Sequence, residues 1–153
     1  MTDEFDEGLE AICVQAQTAW ERLQHGVWGP HWDYSRSCLD YSRASLSRLS
    51  DWMVLSARGQ GAADFKSLLV PAGQYFGETL LEHARAEWER RPDNTFGVAV
   101  HRADGEVHHV DIIEVFNAWI AAARGGKGAE RPVLLDHFDR AVAGALPPYW
   151  SVR

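Results

Sequence analysis

The stretch Pro71-Ala-Gly-Gln-Tyr-Phe-Gly-Glu-Thr-Leu-Leu-Glu-His-Ala-Arg-Ala-Glu-Trp88 decides how the rest of the chain is read. It has the pattern of one helix, expected to run to about Arg90, where Pro92 prevents continuation. Gly73 and Gly77 stand one turn apart, and the same face carries Leu80, Leu81, Ala84 and Trp88. Each glycine inside a helix costs about 1 kcal/mol relative to alanine. Two on one face therefore predict a smooth strip on which neighbouring elements pack closely. The segment before it extends the element back to Asp64, a candidate cap, so the central helix is placed at 64–90 with Pro71 as a kink or a fresh start.

Outward from this element, residues 3–57 read as a helical hairpin. In the first helix, 3–24, Leu9, Ile12, Cys13, Ala16, Trp20 and Leu23 recur at helical spacing. The glycines and proline of His25–His31 predict a loop. The second helix, 34–57, has Cys38, Leu39, Leu46, Leu49 and Met53 on its apolar stripe. On the other side, 95–112 changes to period two and holds Asp104-Gly105, a strong hairpin signal. A two-residue turn there would set His101 opposite His108. Such a hairpin is marginal alone, so it must rest on helices or find another strand. Asp111 with Glu114 predicts a cap, and helices fill 112–146. The expectation is a single helix-rich α+β domain over 1–153, in the order α-α-α-β-β-α-α, with a small antiparallel hairpin packed on helices.

Composition narrows the function. The chain has 153 residues and a net charge of −7, and only Lys66 and Lys127 among its 15 basic residues are lysines. That balance argues against a nucleic-acid partner, which needs a basic face. No apolar run approaches the ~20 residues that span a bilayer, so no membrane is expected. The acidic start, MTDEFDEGLE, is unlike a secretory signal, and Cys13 and Cys38 read as buried free thiols of the cytoplasm.

No catalytic set stands out. Glu78, Glu82 and His83 form an E-x-x-x-E-H run that a metal-dependent enzyme could use, with a hairpin histidine as a further ligand. The plainer reading pairs Arg85 with Glu82. Neither a nucleophile elbow nor a dinucleotide fingerprint occurs, and Arg124–Glu130 lacks the spacing of a phosphate loop. The tryptophans outside helix faces, Trp28, Trp32 and Trp150, are core lids or interface anchors. Neither cofactor nor bound metal is expected. The favoured reading is a non-enzymatic module for a protein partner, with Trp28, His31, Trp32, Glu78, His101, His108 and Trp150 as its candidate contact residues. A homodimer or a structural subunit of an assembly is the remaining alternative.

The residues Gly73, Tyr75, Gly77, Glu78 and Trp88, within a span of roughly 66–124, resemble a loosely defined group of small uncharacterised bacterial α+β domains. In that group a Gly-x-Tyr-x-Gly-Glu helix precedes a small sheet. The resemblance implies a fold and no activity. Small acidic bacterial proteins of this sort often look like immunity or accessory proteins that neutralise a toxin or accompany a secretion machine, which is an analogy alone.

Overall fold

A computed structural model of the chain describes residues 7–31, 33, 38–59 and 64–151. Among them the order is α1 (Glu7–Ala16), α2 (Ala19–Trp28), α3 (Ser45–Ala57), α4 (Phe65–His83), β1 (Ala86–Arg90), β2 (Phe96–His101), β3 (Val107–Asp111), α5 (Ile112–Gly125) and α6 (Arg131–Val142). A short 3-10 turn, Tyr149–Ser151, follows. This is a helix-rich α+β fold in which a three-stranded antiparallel sheet packs on helices. No helix among the described residues is long and apolar enough to cross a membrane.

The central helix is α4. Asp64 caps it, accepting from the Ser67 amide at 2.8 Å. Pro71 lies inside the helix, and residues 71–77 are all buried. Helices α1, α2 and α3 pack on it from one half of the chain, and the sheet, α5 and α6 from the other. The glycine strip works as its spacing predicts. A Cβ at Gly73 would stand 2.8 Å from Cγ2 of Ile112, and one at Gly77 would collide with the six-membered ring of Trp88.

Several boundaries differ from the sequence expectation. The central helix ends at His83, and Ala84 is already extended at φ −149 and ψ 158. Ala86–Arg90, expected to be its last turn, is instead β1, with Ala86 and Trp88 buried and Glu87 exposed. This supplies the extra strand that an isolated hairpin needs. The first helix breaks at Gln17-Thr18, so that Ala16 and Ala19 are both fully buried. Helix α2 then continues through His25 and Gly26 to Trp28, and the predicted loop begins only at Gly29, whose φ of +90 ends the helix. The second helix starts at Ser45 rather than 34, because Tyr41 is held at φ +62, outside helical geometry. Residues 34–37 lie outside the described residues. Of the two cysteines, both free, Cys13 is half-buried and Cys38 exposed; Cys38 sits in the irregular lead into α3 and not on its buried stripe.

The hairpin is one residue out of the expected register. Val100 pairs with His108 and His101 with Val107. Arg102 and Glu106 close a loop of three residues, with Gly105 at φ +90, where two had been expected. Because strand side chains alternate, the slip puts His101 and His108 on opposite faces of the sheet.

Candidate functional site

The glycine strip also shapes an apolar groove on the surface. Seating Ile112 on Gly73 and Trp88 near Gly77 leaves a groove of about 290 Å3 between α4 and α5. Trp88 and Phe96 from the sheet, Phe116 from α5 and Ile12 from α1 contribute to its walls. Its rim is apolar as well: Val70 on α4 is 57% exposed and Ile113 on α5 is 49% exposed. An apolar groove with exposed apolar side chains on its rims is the default candidate for a binding site.

One polar group in the groove wall is firmly held. Gln74, buried on α4, donates to the Gln15 side-chain oxygen at 2.9 Å and accepts from the Arg22 guanidinium. These bonds tie α1 and α2 to the centre of the molecule. Beside the groove, Glu78 accepts from the Trp88 indole at 3.3 Å. Burial raises its carboxyl above the ordinary value; the indole bond partly counters this, and the Glu82 charge adds to it.

The E-x-x-x-E-H run does not converge. Glu78 turns to Trp88, Glu82 is exposed, and a ring nitrogen of His83 lies 2.8 Å from the carbonyl of Tyr41. Among the described residues no three His, Cys, Asp or Glu side chains come close enough to hold a metal ion. Arg85 does not pair with Glu82; its guanidinium lies over the Tyr149 ring, 5.1 Å from the centroid.

The seven predicted contact residues fall in separate settings. Trp28 is 42% exposed and packs edge-on against Trp52, with centroids 5.7 Å apart. His31 is exposed in the loop after α2, and Trp32 lies outside the described residues. His101 sits on the outer sheet face against Glu87 at 2.6 Å. His108 faces the other way, toward α5 and α6, where it lines a separate polar cavity. Trp150 is 61% exposed, and its indole donates to the carbonyl of Glu82 at 3.1 Å, folding the tail against the end of α4. None of the described six lines the apolar groove.

The groove residues Val70 and Ile113 had a weak sequence signal. Each adjoins an apolar neighbour, Leu69 or Ile112, so the apolar arc of its helix is wider than one buried stripe requires. Comparison with protein-family models, with curated proteins and with solved structures found no match.

Proposed function

We propose that the chain is a non-enzymatic binding module of the bacterial immunity type, which masks a toxin-like protein by receiving its apolar side chains between α4 and α5. The observation that carries this reading is the open apolar groove with Val70 and Ile113 exposed on its two rims. The partner is expected to be basic around those anchors. A net charge of −7 would speed encounter with such a surface, while the buried apolar contacts would set the residence time.

The test compares the native chain with Ile113→Asp and Trp150→Ala as bait in a lysate of the source organism, followed by titration against the purified captured protein. Support is binding at micromolar affinity or tighter, weakened about tenfold or more by Ile113→Asp, which is ~1.4 kcal/mol or more. Trp150→Ala should leave it unchanged, and co-expression should relieve any toxicity of the captured protein. Absence of a partner at micromolar concentration, or equal binding by Ile113→Asp, rejects the groove as the interface.

A further inference from the structure

A second cavity, of about 180 Å3, lies where β3 meets the first turn of α5 and the middle of α6. It differs from the groove in chemistry. His108 reaches it from β3, and His137 and Arg140 reach it from positions three apart on α6. Both imidazoles are half-buried, and among the described residues neither makes a hydrogen bond. Arg140 bonds through Nε to the Asp136 carbonyl at 3.4 Å and makes no ion pair among the described residues. The other charged groups in the wall are mostly committed. Arg91 lies 3.7 Å from Asp111 and 3.8 Å from Glu89, and His109 lies 2.7 Å from Glu89. Asp111 also caps α5 by accepting from the Glu114 amide at 3.2 Å. Among the described residues, the Glu114 carboxylate in the wall makes no hydrogen bond or ion pair.

We propose that this cavity binds a small oxyanion of the phosphate or carboxylate class, with Arg140 supplying charge and His108 and His137 each donating a ring N–H. A guanidinium presents paired donors that match an oxyanion, and a neutral imidazole always keeps one N–H to give. The volume falls below the ~300 Å3 at which pockets for larger organic ligands begin, which suits a small occupant. A metal ion is disfavoured because no three suitable side chains converge among the described residues.

Electrostatics agree with the geometry. His108 is held below the ordinary imidazole value by burial first, then by Arg102, His109 and Arg140. His137 is lowered by burial and then by Arg140, against opposing pulls from Glu114 and Asp136. A bound anion would reverse part of that effect and raise both values. Glu114 works against the anion, so its removal should help.

The test is histidine side-chain NMR of the full chain at constant ionic strength, titrated separately with inorganic phosphate and with acetate against a chloride control. The expected result is a saturable shift of His108 and His137 with either anion, half-complete at or below about 10 mM. Arg140→Gln should weaken it about tenfold or more, and Glu114→Gln should tighten it. Both sites are exposed, and an unchanged melting temperature confirms that each variant keeps its fold. No saturable shift, equal shifts in Arg140→Gln, weaker binding in Glu114→Gln, or saturation by zinc chloride in place of the anions would each overturn the proposal.

Discussion

The six-membered ring of Trp88 lies on the bare Cα of Gly77, so closely that a single methyl group there would overlap Cη2, Cζ2 and Cζ3 together. Helical spacing predicts the two residues on one face of one helix, whereas they meet from different elements: Gly77 on α4 and Trp88 on β1. The contact joins the central helix to the sheet.

Gly77→Ala is therefore expected to destabilise. Helix propensity alone favours alanine by about 1 kcal/mol, whereas overpacking a rigid core ring costs about 1–3 kcal/mol or more. The collision wins, since the ring cannot yield without moving β1. Gly73→Ala should cost less, because its single clash is with one methyl of Ile112 at 2.8 Å. Thermal melts of both variants check the order. A Gly77→Ala protein as stable as the native chain would contradict the packing described.

Tyr75 offers a second test. Its hydroxyl accepts from the Tyr41 amide at 2.8 Å and lies 2.6 Å from Ser45 Oγ, and its ring stacks on Tyr41 with centroids 4.8 Å apart. Tyr75→Phe keeps the stacking and removes both bonds, leaving polar groups in a mostly buried place. The expected loss is about 1–3 kcal/mol. Because the Tyr41 bond holds the left-handed turn before α3, amide exchange should quicken at residues 41–45 and not in the sheet. Uniform quickening would show that the bond has no local role.

The pH dependence of stability has two opposing parts. His108 and His137 have folded values below the ordinary 6.5, so between those values and 6.5 the unfolded chain holds more protons. Stability should fall as pH drops through that window, and a His108→Gln/His137→Gln chain should show a flatter profile there. Glu78 has a folded value above the ordinary 4.5, so the folded chain holds the extra proton. That contribution is present below 4.5 and is lost as pH rises through the folded value. Glu78→Gln should therefore gain stability near neutrality relative to the native chain. Urea midpoints at several pH values read both effects, and a slope in the double-glutamine variant equal to the native one would count against the first.

How much of this was legible in the sequence depends on which periodicities coincide. The central helix was legible because apolar residues and two glycines share one face. Its end was not, since Ala84 and Trp88 are four apart, and with Ala86 they also alternate. The same letters satisfy a helix and a strand, and pairing with β2 decides between them. The turn at Asp104-Gly105 was legible as a turn, but Asp-Gly serves loops of two and three residues alike, so the register was not. Tyr41 gave no sign of its positive φ, which is uncommon for a residue with a side chain. For the candidate site, aromatic residues outside helix stripes drew attention to Trp28 and Trp150, while the groove is rimmed by aliphatic residues that look like ordinary core. The polar cavity was not legible because His108 lies on β3, far along the chain from the neighbouring His137 and Arg140 of α6, and the three line one cavity only in the folded chain.

The placement of α4 has a consequence for how the molecule comes apart. Segments from both ends of the chain share this one helix as their floor, so neither the first three helices nor the sheet with its following helices closes a core unaided. Such a protein should have no detachable half: a single melting transition is expected, and a nick or truncation on either side should strand the other half with its oily underside bare.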